Sequence, residues 1–398
     1  MQYQLAMLID TKNCSQEKGW MLENCPHHGV CGGCKLYNFS YTEQLKHKEE
    51  VVKNQLKKCA TTILPVLPSP VQHRYRNKVE FTFFTTEQNK VGLGFHKKGC
   101  YDDLVDLENC LLTPASNIEL IKTFRDWANR NRLTAYNKTL HTGLLRYLVV
   151  RDSFEQQKKL LILVTSGGNK QMFAELITLL KKNPVIGGFI WSDQPEDADA
   201  VLLRNWEILY GEPFLMDRIG HVRYKVPLNS FFQVNIQAAK ILYDLILAKV
   251  QPDSTVLDLF CGAGTISAYL AGTARSVTGI EVVEEAIVSA RENAKLNSLF
   301  NAEFITGRVR EQLHRMEGKA TFDAVILDPP RSGTDKKVMA RIASLKPQDI
   351  LYVACGFENL AYNLRSLLSE GYKINSVQPL DMFPQTPHVE VVVHVTKG

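Results

Sequence analysis

Residues 256–265, VLDLFCGAGT, decide how this chain is read. An apolar strand, Val256 to Leu259, breaks into a loop with Gly262 and Gly264 and enters a helix near Thr265, as α/β folds do at a nucleotide-binding corner. Glycines there let a ligand approach the backbone. A second strand, Ser276 to Ile280, ends in Glu281, seventeen residues after Gly264. A carboxylate at that point can accept hydrogen bonds from both hydroxyls of a ribose, so the outline is that of an adenosine site. The dinucleotide fingerprint asks for a third glycine, and Ser267 stands in its place, which weakens a dinucleotide reading. A glycine loop alone is as compatible with an ordinary strand-to-helix turn.

The D-x-F-x-G-x-G form resembles the first motif of S-adenosylmethionine-dependent methyltransferases, whose ligand carries no phosphate and needs no phosphate cradle. The 398 residues leave room for two or three domains, each with its own core. No apolar run reaches membrane-spanning length, and the opening MQYQLAMLIDTKN has too short an apolar patch for a secretory signal. A cytoplasmic enzyme is the expectation. Nine cysteines, an odd number without a signal segment, argue against a disulfide framework and for metal binding or thiol chemistry.

The net charge of +5 is modest but uneven: residues 41–80 hold eight Lys or Arg against four Glu, 8 − 4 = +4. Such a surface attracts phosphates in a salt-dependent way, although a charged helix face is often merely solvated. Cys25, Cys31 and Cys34 lie in CPHHGVCGGC, a C-x5-C-x2-C cluster able to wrap a metal centre. A fourth ligand would come from Cys59, Cys100, Cys110, His27 or His28. Spacing does not separate zinc, the commoner finding, from an iron–sulfur cluster.

From Tyr41 to Lys58 the pattern is a charged amphipathic helix with Leu45, Val52 and Leu56 on one side, followed by the proline-spaced connector ILPVLPSP ending at Pro70. In QHRYRNKVEFTFF, Arg74, Tyr75, Arg76 and Lys78 interleave cations with an aromatic ring before a strand from Val79 to Phe84. That pattern suits phosphate contacts with base stacking, and equally an edge strand protected by charge. Between Val91 and Met216 short strands alternate with turns and with helices near Ser116–Arg130 and Gln171–Lys181. Arg146 and Arg151 flank the strand YLVV, in a pattern that suits an extension of the basic face and equally a solvated strand edge.

After SFFQVN (230–235) and a helix from Gln237 to Lys249, strand and helix alternate to the end of the chain. Strands at Ala324–Leu327 and Leu351–Ala354 deliver Asp328-Pro329-Pro330-Arg331 and Cys355 to their carboxyl ends, where open parallel sheets keep their ligand crevice. Closing strands near Lys373–Gln378 and Val389–Val395 flank LDMFPQTPH and carry Glu390. A thiol beside a methyl-donor site points to addition chemistry on a pyrimidine. Thiolate addition at carbon 6 makes carbon 5 of uracil nucleophilic, and a base then removes the carbon 5 proton. Cys355 offers the thiol, Glu390 the base and Asp328 an acceptor for the uracil N3 hydrogen. A buried structural cysteine is the plain alternative for Cys355.

Q-V-N at 233, D-x-F-x-G-x-G at 258, D-P-P-R-S-G at 328, Y-V-A-C at 352 and M-F-P-x-T-x-H-x-E at 382 stand in the order found in RNA uracil-5-methyltransferases, and the chain resembles that family over nearly its whole length. The resemblance implies an α/β protein: a C-terminal Rossmann-like class I methyltransferase domain over 227–398, a mixed α/β RNA-binding central domain over 71–226 and an N-terminal iron–sulfur segment over 1–40. The helix and connector of 41–70 would pack on the catalytic domain. It implies Cys355 as nucleophile, Glu390 as base, and S-adenosylmethionine contacts at Gln233, Phe260, Thr265, Glu281 and Asp328; Thr265 stands where some members have Asn.

CPHHGVCGGC looks like the 4Fe-4S motif of the ribosomal RNA members, which implies Cys25, Cys31, Cys34 and Cys110 as ligands. The substrate so implied is a uridine of 23S ribosomal RNA, with the T-loop of transfer RNA, or RNA binding without catalysis, as alternatives. Two departures stand out. Gly356 follows the nucleophile where the family usually has Asn. Only 24 residues precede Cys25, too few for the OB-like domain of many relatives, so RNA grip is expected from the central domain.

Overall fold

The structure is a computed structural model that describes residues 25–59, 62–100, 102–195, 198, 200–203 and 205–398. The first 24 residues, MQYQLAMLIDTKN included, lie outside the described residues. No helix among the described residues is long and apolar enough to cross a membrane.

Helix α1 (Tyr41–Leu56) starts at a reciprocal cap: the Ser40 hydroxyl accepts from the Glu43 amide and the Glu43 carboxylate accepts from the Ser40 amide. Its buried row is Gln44, Lys48, Val52 and Leu56, spaced every fourth residue. The apolar row read from the sequence is therefore corrected at one position. Leu45 is only half-buried, and a lysine takes the face because Asp381 supplies its counter-charge.

A seven-stranded sheet follows, built from β1 (Lys78–Thr85), β2 (Val91–His96), β3 (Leu104–Asp106), β4 (Leu145–Ser153), β5 (Lys158–Thr165), β6 (Ile186–Asp193) and β7 (Asn205–Gly211) in the order β3-β2-β1-β4-β5-β6-β7. Only the β5–β6 pair is parallel. Strand β4 is buried along its whole length, since α2 (Ser116–Arg130) and α3 (Ala174–Lys181) cover one face, and Leu215 and Leu228 close the other. Apolar side chains on both faces, as in LRYLVVRDS, are what such a position demands. A hairpin of β8 (Phe214–Ile219) and β9 (Val222–Pro227) leads out of this region.

The second sheet has the order β12-β11-β10-β13-β14-β16-β15, from β10 (Thr255–Leu259), β11 (Ser276–Glu281), β12 (Ala302–Thr306), β13 (Ala324–Leu327), β14 (Asp349–Ala354), β15 (Tyr372–Leu380) and β16 (Glu390–Lys397). The first five run parallel, and β16 inserts antiparallel between β14 and β15. Alternation in β10 sends Val256 to one face and Leu257 and Leu259 to the other. The first face carries α4 (Ile236–Leu247) and α5 (Thr265–Ala271). The second carries α7 (Val309–Met316), α8 (Lys336–Ser344), α9 (Phe357–Ser369) and also α1, whose Val52 and Leu56 enter that core. Helix α6 (Glu284–Leu296) packs beside the β10 turn through Ile287, Ala290 and Ala294.

Candidate active site

The parallel register lines the site residues along one sheet edge. Leu259 pairs with Ile280 on one side and Leu327 on the other, so the next positions, Glu281, Phe260 and Asp328, end three adjacent strands. On the far side Ala354 pairs with Val391, and one further step sets Cys355 against Glu390. Residues scattered over 130 positions of sequence thus share one crevice at the carboxyl edge, where the β10–β13 reversal of strand order opens a binding site.

At the donor end, Gly262 has φ +54° and open space where a side chain would project. Gly264 has another reason: a Cβ there would stand 2.8 Å from Phe304 and 2.9 Å from Ala290. One glycine faces the ligand side and the other lets α6 and β12 close in. Phe260 holds φ +64°, a conformation that costs a non-glycine residue about 1–2 kcal/mol. The Glu281 carboxylate accepts from the Gly262 amide at 3.2 Å and from Val282 and Val283 at 2.7 and 3.0 Å, which fixes it over the loop. A cavity of about 710 Å³ opens there, lined by Gly262, Ala263, Glu281, Val283, Phe231 and Ser230.

Thr265 is set from behind: its hydroxyl accepts from Tyr243 at 2.9 Å and its carbonyl from Tyr224 at 2.8 Å. Gln233 is buried, and its carbonyl accepts from Asn77 at 3.0 Å. Ser267, which displaced the third glycine of the dinucleotide pattern, donates to the fully buried Asp258 at 2.5 Å. Burial, with Asp328 and Glu281 nearby, pushes the Asp258 carboxyl up to about 7, and its other oxygen has no partner.

At the reaction end, burial raises the Cys355 thiol and the Glu390 charge adds to that, while the Arg331 guanidinium, hydrogen-bonded to the thiol, opposes both. Burial and then Asp328 push Glu390 up to about 8, and burial pushes Asp328 up to about 7. One oxygen of Glu390 is buried without a partner. The group thus combines a thiol with a nearby cation, a carboxyl poised near neutrality and a second carboxyl beside them. Arg331 was legible as the last residue of D-P-P-R, but its contact with the thiol was not. Gly356 also has a local reason, since a Cβ there would approach the Arg331 carbonyl to 2.9 Å.

The loop 381–388 that precedes Glu390 is tied from many directions. Buried Lys48 pairs with buried Asp381 at 2.5 Å and donates to the Phe383 carbonyl at 3.1 Å. Gln44 and Gln385 exchange two hydrogen bonds of 2.9 Å. Asn235 donates to the Met382 carbonyl at 3.0 Å, and the Leu36 amide to the Gln385 carbonyl at 3.0 Å. Helix α1, the cysteine segment and the Q-V-N motif therefore all bear on the turn that carries the candidate base.

Three expectations for the basic face are corrected. Tyr75 is buried and donates to the Pro384 carbonyl at 3.0 Å, so its ring is not exposed for base stacking. Arg146 is buried, donating to the carbonyls of Gln194 and Ala198 at 2.9 and 2.8 Å beneath the ring of Tyr136. Arg151 is buried too and donates to the Ser230 carbonyl at 2.7 Å, where burial lowers its guanidinium to about 10. Both arginines hold loops in place because carbonyls in their neighbourhood need donors.

Cys25, Cys31, Cys34 and Cys110 line one cavity with His27 and His28. Burial and then the charges of Cys110, Cys25 and Cys31 push the Cys34 thiol up to about 12. Cys59 packs elsewhere, against the core of the second sheet, and Cys100 is exposed. No group of three or more His, Cys, Asp or Glu among the described residues is placed to hold a metal ion.

A parallel sheet with one inserted antiparallel strand, a glycine turn and an acidic residue closing the next strand define a class I S-adenosylmethionine-dependent methyltransferase. The family model for tRNA (uracil-5-)-methyltransferase matches residues 216–398. A second model, DNA methylase, matches residues 32–292, a span that stops before Asp328, Cys355 and Glu390. An uncharacterised RNA methyltransferase of Caldanaerobacter subterraneus subsp. tengcongensis is 38% identical over 92% of this chain and 83% of its own. Another, of Bacillus cereus, is 33% identical over 94% of this chain and 82% of its own. The crystal structure of the Pyrococcus abyssi tRNA (uracil-54, C5)-methyltransferase with S-adenosyl-L-homocysteine superposes with a TM-score of 0.76 at 28% identity, covering 92% of this chain and 86% of that one. The chain belongs to the RNA uracil-5-methyltransferase family.

Proposed function

We propose that this enzyme methylates carbon 5 of a specific uridine in 23S ribosomal RNA, in the cytoplasm, through a covalent adduct on Cys355. The observation that carries the mechanism is the register that sets Cys355 against Glu390 beside Asp328. The Cys355 thiolate adds to carbon 6, and carbon 5 becomes nucleophilic. S-adenosylmethionine, when bound, supplies the electrophilic methyl group, and the open side of Gly262 and the cavity at Glu281 fit such a ligand. Gln233, Phe260, Thr265, Glu281 and Asp328 would hold it. Glu390 takes the proton from carbon 5, the sulfur–carbon 6 bond breaks and the ring double bond returns. Asp328 accepts the uracil N3 hydrogen.

Cys25, Cys31, Cys34 and Cys110 are proposed to hold a 4Fe-4S cluster. They are not gathered as ligands of a single ion, but a cluster takes its thiolates on separate irons, and the four thiols around one cavity support that reading. Their role is structural, shaping the RNA surface and bracing loop 381–388 through Leu36. Cys110→Ser is expected to bleach the brown absorbance of the purified protein; an unchanged spectrum would mean a different fourth ligand.

The cysteine motif favours ribosomal RNA, whereas the likeness to the Pyrococcus transfer RNA enzyme favours the T-loop. Mass mapping of methylated uridines in cells with and without the gene separates the two. Loss of one 23S methyluridine is expected. Loss at the T-loop alone would move the substrate to transfer RNA, and no change would favour an RNA-binding protein disabled at Gly356.

A further inference from the structure

Loop 381–388 gathers cations from distant parts of the chain. The Leu36 amide on Gln385 brings the exposed Lys35 to the loop. The Tyr75 hydroxyl on Pro384, and the 3.3 Å contact between Gln385 and His73, bring Arg76 to it. Arg331 lies near enough to act on His388 of the loop. His388 itself is exposed, with the Phe383 ring edge-on at 6.2 Å. Burial lowers the His388 imidazole, and Arg331, Arg76, Lys48 and Lys35 add to that, so all four charges bear on one ring. Lys48 is matched by Asp381, and Arg331 is turned toward Cys355 and Glu390. Lys35, Arg76 and His388 remain on the outer side of loop 381–388, which leads into Glu390. Arg76 also lines a groove of about 350 Å³ with Gly33, Lys78, Glu80 and Val234, in which Lys78 is already paired with Glu80 at 2.7 Å.

We propose that Lys35, Arg76 and His388 form a phosphate-binding rim that seizes a backbone phosphodiester of the RNA next to the uridine presented to Cys355. The assignment rests on the RNA methyltransferase reading and adds the contact that positions the substrate. Lys35 and Arg76 are two cations drawn to one loop that repel one another until an anion arrives. The His388 imidazole, whose protonated form is disfavoured there, can donate a hydrogen bond to that anion, and a phosphodiester is the anion every RNA brings. A uracil ring seated at Cys355 leaves its phosphates outside, where exposed Lys35 and His388 can reach them. The rim uses one residue from the cysteine segment, one from the central basic strand and one from the catalytic loop. It therefore forms only when those three parts are assembled.

The test is anisotropy of a fluorescent single-stranded oligouridylate on the full chain over a range of salt. Lys35→Ala and Arg76→Gln are each expected to weaken binding roughly threefold to tenfold at low salt and to flatten the log–log salt slope by about 0.7, the single-strand value for one phosphate contact. Lys182→Ala, exposed at the end of α3, should change neither, and S-adenosylhomocysteine affinity by calorimetry should stay put in all three. Lys35 is exposed, so its variant folds and decides the matter even if Arg76→Gln does not. Unchanged affinity and slope in Lys35→Ala, an equal loss in Lys182→Ala, or no salt-dependent binding by the wild type would each overturn the rim. The outcome is separable from the covalent mechanism, because the rim is read by reversible binding and its salt slope, whereas the adduct is read by methyl transfer.

Discussion

Cys355→Ala is expected to abolish methyl transfer, with turnover falling about four orders of magnitude or more. Carbon 5 of an isolated uracil is too weak a nucleophile to take a methyl from a sulfonium, so the deletion removes the activation itself. The half-buried thiol leaves only a small gap on truncation, and stability should change by no more than about 1 kcal/mol. Single-turnover transfer of labelled methyl into unmodified ribosomal RNA reads the effect, with S-adenosylhomocysteine binding as the control for fold. Normal turnover in this variant would falsify the adduct mechanism.

Glu390→Gln separates the two halves of the reaction. In the proposed mechanism addition and methyl transfer need Cys355 and the donor, but elimination needs a base at carbon 5. The variant should accumulate a covalent RNA–protein species that survives denaturing electrophoresis and carries the transferred methyl. Rapid release of methylated RNA at the wild-type rate would show that another group is the base. The wild type offers a matching pH test. Glu390 is pushed up to about 8, so its deprotonated fraction, and with it the rate of adduct resolution, should fall about tenfold per pH unit below that value. Glu390→Gln should lack this limb. The sign for stability is opposite: a carboxyl whose folded value lies above its ordinary 4.5 contributes stability present at low pH and lost as pH rises toward about 8. The site is thus least stable where it is most active.

Helix α1 shows how far the sequence reading reached. Its span was legible because Val52 and Leu56 recur at helical spacing and a proline-spaced connector follows, while the Ser40–Glu43 cap came from the structure. Its true buried face was not, because Lys48 is a core residue only with Asp381 beside it, 333 positions away. Tyr75, Arg146 and Arg151 failed for the same cause: local pattern marks them as a basic, aromatic surface, and distant carbonyls draw them inside. The glycine turn behaved differently. Gly262, Gly264 and Glu281 were readable because strand, turn and acid are bound by short-range spacing.

The sequence by itself determined the strand–turn–helix order of the methyltransferase sheet, the identity of its edge residues and the family motifs, since backbone periodicity and turn chemistry act over a few residues. Only the tertiary structure decided that Arg331 touches Cys355, that Ser267 serves Asp258, and that loop 381–388 is held by α1, the cysteine segment and Asn235. The physical reason is that the energy of a charge or a polar hydrogen depends on its desolvation and its partner. Partners are chosen by the folded topology, in which residues hundreds of positions apart become neighbours.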